Sequence, residues 1–345
     1  MTGIVDKVYK PSRLNVLGVP FMLKTFALSI SLAAAIATAG VSPAAAAPKG
    51  KDAQVTILVS ALSYSFPHFV FLQEQLEDEA AKIGKVKVLR SDGQLSAPKQ
   101  IADIEAAIVQ GVDGIIIAPA DADALAPAVR EAIQAGIPVV TIDRPVNGVP
   151  EVIANVAANN VIGAVRQGEA VAAQFPKGAT IVNLQGIPGD KTANDRNKGV
   201  HQALDGKPDL YKFVAEQTAR FSRDQGLSVT ENLLTGLPAT PAVIVAGNDD
   251  SALGAAQAVA ARGLKGKIAI FGYDGSSDAL KAVQSGDLAA TVDQFPGKQG
   301  RIAVRTLVDY IREGVKPAKN DILVEPVAIT KANLSSAERF PLISQ

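Results

Sequence analysis

The sequence predicts an α/β protein of two doubly wound parallel-sheet lobes, and three observations carry that reading. From about Gln54 onward, short runs rich in Val and Ile alternate with helix-like segments. The runs are not strictly alternating in polarity, as expected for strands covered by helices on both faces. The βα series breaks near residues 157–160, where no glycine stop separates strand from helix, and the same plan then begins again. At 345 residues the chain exceeds one ordinary domain and suits two, and 48% apolar residues are enough for two large buried sheets.

The first lobe has strand candidates at 55–60, 85–89, 114–118, 138–142 and 152–156. The second has them at 180–184, 213–216, 242–246, 268–271 and 289–292. Between them, segments 69–83, 98–110, 122–134, 161–175, 223–234, 251–262 and 298–312 read as amphipathic helices. Gly84, Gly111, Gly136, Gly263 and Gly314 each follow one, at the stop position where a left-handed backbone favours glycine. The late segments 295–312 and 322–327 can carry the chain back and forth between lobes.

The first 47 residues are of another kind. Lys24 precedes the apolar run 26–41, and small residues follow at Ala44, Ala45, Ala46 and Ala47. A basic region, a short apolar core and an A-x-A site describe a cleavable secretory signal, with Met22 the better start; the core is short for a membrane span. The whole chain has 34 basic and 34 acidic residues; removing Lys7, Lys10, Arg13, Lys24 and Asp6 leaves 30 against 33. That balance suggests neither a nucleic-acid surface nor an electrostatically held membrane protein. With no Cys there is no disulfide and no lipid-bearing cysteine after the signal. A soluble periplasmic protein, not a lipoprotein, is expected.

Enzyme constellations mostly fail. No G-x-G-x-x-G follows the first strand, no G-x-x-x-x-G-K-[ST] or G-x-S-x-G occurs, and the only histidines, His68 and His201, lack metal-ligand spacing. No metal, no cofactor and no catalytic residue is expected. What remains is a ring of polar and aromatic residues at strand exits, where open α/β sheets bind ligands. Gly247-Asn248-Asp249 and Gly272-Tyr273-Asp274-Gly275 each follow an apolar run, so Asn248 and Asp274 sit at strand ends; a plain helix-capping role is the alternative. Phe66, His68 and Phe69 follow the first strand, and Asp143-Arg144 the fourth. Gln185–Gly189 leads to Asn194 and Arg196; Phe221 and Gln294 complete the set. Carboxylates and amides suit hydroxyl groups, and aromatic faces suit the CH surfaces of a polyhydroxylated ring. Each has a plainer reading: a surface ion pair for Asp143-Arg144, core packing for Phe69 and Phe221, a loop brace for Arg196, a hinge contact for Gln294. Asp190 and Asp195 read as solvated acids at a helix start.

On these residues the chain resembles the periplasmic ribose-binding protein family, the type I sugar-binding components of bacterial ATP-driven (ABC) importers. The resemblance runs from about Gln54 to Val327. It is carried by Thr141-Ile142-Asp143-Arg144, Leu184-Gln185-Gly186-Ile187-Pro188-Gly189, Gly247-Asn248-Asp249, Phe271-Gly272-Tyr273-Asp274-Gly275 and Leu288-Ala289-Ala290-Thr291-Val292-Asp293-Gln294. It implies Rossmann-like lobes joined by a three-strand hinge near 157–159, 293–294 and 320–323. It also implies a monosaccharide or sugar alcohol held between the lobes. Asp143 and Arg144 would hold hydroxyls from the first lobe, with Phe69 as its aromatic face and His68 as a further candidate for that face. Phe221 would stack from the second lobe, with Asn248 and Asp274 as its hydroxyl contacts and Gln294 beside the late hinge. Two departures set this chain apart: Ser65-Phe66-Pro67-His68-Phe69 stands where relatives have Asn shortly before Pro-Phe-Phe, and Asn194 stands where ribose binders carry a ligand-binding Arg, with Arg196 two positions later.

The expected organisation is a signal at 1–47, a first lobe from 53–157 plus 295–321, a second from 158–293 plus 322–331, and a tail at 332–345. Expected partners are ABC permease subunits, with a chemoreceptor as a further candidate, for a monomer that binds no nucleic acid. Two other classes compete: a periplasmic sugar-modifying enzyme using Asp143 and Asp274 as acid and base, and the sensing domain of a LacI-type transcriptional repressor. The second needs a basic helix-turn-helix where residues 1–53 carry the Ala-rich segment.

Overall fold

The computed structural model describes residues 47–344, so the expected export signal, apart from Ala47, lies outside the described residues. The chain runs β1 (Val55–Ala61), α1 (Pro67–Ile83), β2 (Val86–Asp92), α2 (Ala97–Gln110), β3 (Gly114–Ile117), α3 (Ala126–Gln134), β4 (Val139–Ile142) and β5 (Ala154–Ala158). It continues through α4 (Asn160–Gln174), β6 (Ala179–Gln185), α5 (Lys191–Leu204), β7 (Tyr211–Thr218), α6 (Arg223–Gly236), β8 (Val243–Ala246), α7 (Asp249–Ala261), β9 (Ala269–Phe271), α8 (Ser277–Ser285) and β10 (Ala290–Asp293). Last come α9 (Pro296–Glu313), β11 (Asp321–Val324), β12 (Val327–Thr330) and two short 3₁₀ segments, Lys331–Ser336 and Phe340–Leu342.

Two six-stranded sheets result, in the orders β11-β5-β4-β3-β1-β2 and β12-β10-β9-β8-β6-β7. Both repeat one doubly wound order, and only β12 runs antiparallel, against β10. Alternating residues of β1 explain the two-sided cover: Val55, Ile57 and Val59 pack with Leu72, Leu76 and Leu307, while Leu58 packs with Ile104 and Val129 on the other face. The second sheet repeats this, with Val182 and Ile244 on one face and Ile181 and Val243 on the other. Each fully buried Leu, Ile or Val contributes about 1.5–3 kcal/mol, so both sheets are rigid platforms for the loops at their carboxyl ends.

Two buried glutamines tie those loops down. The Gln100 side chain donates to the carbonyls of Ala61 and Ala118 and accepts from Ala120 N–H. In the second lobe, Gln167 donates to the carbonyls of Ala246, Phe271 and Gly272. These satisfy carbonyls at strand exits, where the Ala61 carbonyl also accepts from Gly93 N–H.

The chain changes sheets three times: after β5, between β10 and α9, and between β11 and β12. The third crossing falls at Glu325-Pro326, later than the expected 320–323. Residues 321–324 pair in register with Asn155–Ala158 and belong to the first sheet, not the second. Pro326, which lacks an N–H, ends that pairing. Residues 332–344 are also not a loose tail: Leu334 and Ala337 are buried in the second-lobe core, with Phe340 and Ile343 packed on it. Helices α5 and α8 lie between the expected elements. In α5 the buried apolar side chains are few, Ala193, Val200 and Leu204, so no apolar stripe announces it.

Candidate ligand-binding site

The exits of β1 and β4 in the first sheet, and of β6, β7, β8, β9 and β10 in the second, face one another across a cleft with about 410 Å³ of empty space. Its walls are Leu62, Phe66, His68, Phe69, Asp143 and Arg144 from the first lobe. Ile187, Thr192, Arg196, Phe221, Asn248 and Asp274 come from the second, with Gln294 at the second crossing.

Several of these residues hold unusual backbone geometry. Asp143, Phe221 and Asp274 have φ of 66°, 58° and 129°, a region that L-residues enter only when their surroundings impose it. Phe221 also depends on Gly186, because a Cβ there would lie 2.1 Å from its ring. Pro67 opens α1, with His68 and Phe69 in its first turn.

On the first wall, Arg144 Nε donates to Asp143 Oδ2 at 2.9 Å, and His68 Nε2 lies 3.3 Å from Asp143 Oδ1. Burial alone would raise the Asp143 pKa, but the Arg144 guanidinium and His68 hold it well below the usual carboxylate range. Burial pushes the His68 pKa down, against the pull of Asp143, so the ring is neutral at pH 7. Its Nδ1 lies 3.2 Å from the Gln294 side-chain amide nitrogen, a donor, so Nδ1 accepts and Nε2 carries the proton, close to Asp143 but not aligned with it as a hydrogen bond. Gln294 Nε2 also donates to Asp274 Oδ1 at 2.7 Å. The two wall carboxylates are thus joined through His68 and Gln294.

On the second wall, Arg196 Nε donates to Asn160 Oδ1 (2.9 Å), and Nη1 donates to the Gly247 carbonyl (2.8 Å) and Asp274 Oδ1 (3.2 Å). The guanidinium lies 3.9 Å from the Tyr273 ring centroid. It braces the start of α4 and two loops while lining the cleft. Burial pushes the Asp274 pKa up to about 7 despite Arg196, with Asp249 adding like charge. Among the described residues, Asp274 Oδ2 takes no protein hydrogen bond, which leaves it free for a hydroxyl. Asn248 caps α7 through Ser251 N–H and donates to the Phe221 carbonyl, so capping and cleft lining coexist. One N–H and one lone pair of its amide remain.

Asn194 is the exception among the expected residues. It is exposed and does not line the cleft; Thr192 takes its place. The reason is helical period: in α5, Thr192 and Arg196 are four residues apart on one face, and Asn194 points elsewhere. Leu62, Ile187 and Thr192 were not among the expected residues, and the i, i+4 spacing to Arg196 is the signal that identifies Thr192. Asp190 also differs from expectation. It caps α5 through Ala193 N–H and pairs with Arg144 Nη1 of the first lobe at 2.6 Å, with side chains only 14% and 12% exposed. This ion pair joins the lobes. Asp195, exposed in part and paired with Lys191, is the solvated acid expected.

The cleft at paired strand ends leads to the comparisons. Residues 57–315 match the family described as periplasmic binding protein domain. The ribose import binding protein of Bacillus subtilis is 39% identical over 271 residues, 78% of this chain and 86% of that one. The xylitol-binding protein of Mycolicibacterium smegmatis is 31% identical over 79% of this chain and 77% of its own. Among solved structures, the Caulobacter myo-inositol binding protein bound to myo-inositol is 40% identical with a TM-score of 0.79, covering 85% of this chain and 99% of that one. Match, identity and paired sheets agree: the chain belongs to the periplasmic ribose-binding-like family of sugar-binding proteins.

Proposed function

We propose that this chain is the solute-binding component of an ABC importer, exported through a cleavable signal to work in the periplasm. It captures one neutral monosaccharide or sugar alcohol between its lobes and presents the closed form to membrane permease subunits. The observation that carries this reading is the make-up of the cleft. Two carboxylates, Asp143 and Asp274, face two guanidiniums, Arg144 and Arg196, and His68 is neutral, so the lining charges balance when Asp274 is ionised. A balanced set of donors and acceptors between phenyl rings suits an uncharged polyol and offers no net attraction to an ion. Relatives named for ribose, xylitol and myo-inositol point to the same ligand class.

Closure adds the second wall to contacts made by the first, so ligand favours the closed state by its differential affinity. A ligand lacking one hydroxyl leaves a buried protein group unpaired, which is the source of selectivity. The test is a thermal-shift panel of D-ribose, myo-inositol, xylitol and other aldoses, with gluconate as an anionic control. A ligand bound only by the folded chain raises the midpoint with concentration. The expected result is a saturable rise with a neutral polyol that is recovered chemically unchanged. A rise with gluconate alone, or conversion of the polyol, contradicts the reading.

A further inference from the structure

Residues 331–344 follow β12 and lie beyond the segment that matches the family, 57–315. Their apolar side chains commit to the second lobe, where Leu334 and Ala337 are buried. Their polar side chains do something else. Glu338 N–H donates to Asp293 Oδ2 of the second lobe at 2.6 Å. Its carboxylate turns to the first lobe, accepting from Gly297 N–H (2.8 Å) and Arg301 Nη2 (2.7 Å) in the opening turns of α9. Arg301 in turn donates to Gln75 of α1 at 2.6 Å. Gly297 makes room for this contact, because a Cβ there would lie 2.9 Å from Glu338 Oε1.

Arg339 is more telling. It is 2% exposed, and among the described residues its guanidinium has no carboxylate oxygen within ion-pair distance. Nη1 donates to the carbonyls of Gly275 (3.0 Å) and Asp274 (3.3 Å), Nη2 has no partner, and the group sits 4.6 Å from the ring centroid of Phe71 on α1. Burying a guanidinium is costly, and here the carboxylates of Asp293, Asp274 and Asp249 offset that cost from a distance rather than through a direct pair. What the arginine supplies is a fixed pair of donors to the loop that carries Asp274, whose backbone φ of 129° needs outside support. Its other face rests on the first lobe, one turn from His68 and Phe69.

We propose that residues 331–344 are a strap across the hinge, and that Arg339 is a positioning residue holding the Asp274 loop of the second lobe in register with the first turn of α1. The strap is a further link between the lobes beside the three crossings and the Arg144–Asp190 pair. It acts on the ligand site without touching ligand.

Amide hydrogen exchange on the full ligand-free chain tests this without depending on which polyol binds. Arg339→Met keeps the length of the side chain and removes the donors. It is expected to speed exchange at least about tenfold in peptides covering residues 274–276 and 69–76, with β8 residues 243–246 unchanged. Arg339→Lys is expected to restore most of the protection. Faster exchange confined to the second lobe would overturn the proposal. If Arg339→Met loosens the whole fold, Phe71→Leu decides from the opposite side. That change in the first lobe is expected to speed exchange in residues 337–340 and 274–276 while β8 stays protected, and an effect limited to α1 would overturn the strap.

Discussion

The two walls of the cleft treat a buried carboxylate in opposite ways. Asp143 has a guanidinium and an imidazole on its two oxygens and is held well below the ordinary range; Asp274 shares its guanidinium with Asn160 and Gly247 and is pushed up to about 7. The difference teaches how the lobes divide the work. The first wall is a preformed acceptor, ionised at any physiological pH and ready in the open state. The second is held by a network that spans loops, hinge and strap, and its charge responds to its surroundings.

The largest effect follows from breaking the first wall. Asp143→Ala removes the cleft's ionised acceptor, leaves neutral His68 without its carboxylate and leaves Arg144 with Asp190 alone, and polyol affinity is expected to fall by roughly a hundredfold or more. Calorimetry measures this directly, and a loss under tenfold would show that the first wall is not the stronger one. Asp274→Ala removes one charged acceptor, worth about 1.5–3 kcal/mol, so the expected loss is more than about tenfold.

The contrast in ionisation gives a pH test. Asp274 accepts best when ionised, so affinity is expected to fall as pH drops from 8 through about 7, and Asp274→Asn should remove that slope. Ligand-free stability moves the other way. A carboxyl raised in the folded state contributes stability that is present at low pH and lost as pH rises from its unfolded value toward 7. Comparing wild type and Asp274→Asn in melting curves isolates this contribution, and parallel slopes in the two proteins would refute the assignment.

A smaller effect is expected at the ion pair between lobes. Asp190→Asn keeps an acceptor to cap α5 but removes the charge that meets Arg144. Affinity should fall about fivefold through faster ligand release, with weaker salt dependence than wild type. Stopped-flow release rates separate this from a change in capture. Smallest of all is Asn194→Ala, expected to stay within about twofold because the side chain lies outside the cleft, whereas Thr192→Val on the same turn should lower affinity several-fold.

Much of this was legible before the fold was known, and the reasons differ by element. Strands β3 and β8 are uninterrupted apolar runs, and β8 leads at once to Gly247-Asn248, so the strand and its ligand-facing end can be read directly there. Asp143, Phe221, Asn248 and Asp274 converge because each lies just past the carboxyl end of a strand, although β7, before Phe221, is not an apolar run. Helix α5 was hidden by its polar sequence, and with it the face that turns Thr192 rather than Asn194 to the cleft. The Arg144–Asp190 pair joins residues 46 positions apart and exists only when two lobes meet, which no local pattern encodes. The register of β11 depends on pairing with β5, and residues 331–344 show no periodicity until the hinge they cross is in place.

The central claim is that a neutral polyol is clasped from both walls. Small-angle X-ray scattering of the chain, titrated with the polyol that gives the largest thermal shift, tests it most directly. The account predicts a decrease in radius of gyration that saturates at one ligand per chain and is lost in Asp274→Ala at the same concentration. Saturable binding with an unchanged radius in wild type, or full contraction in the variant, would contradict it.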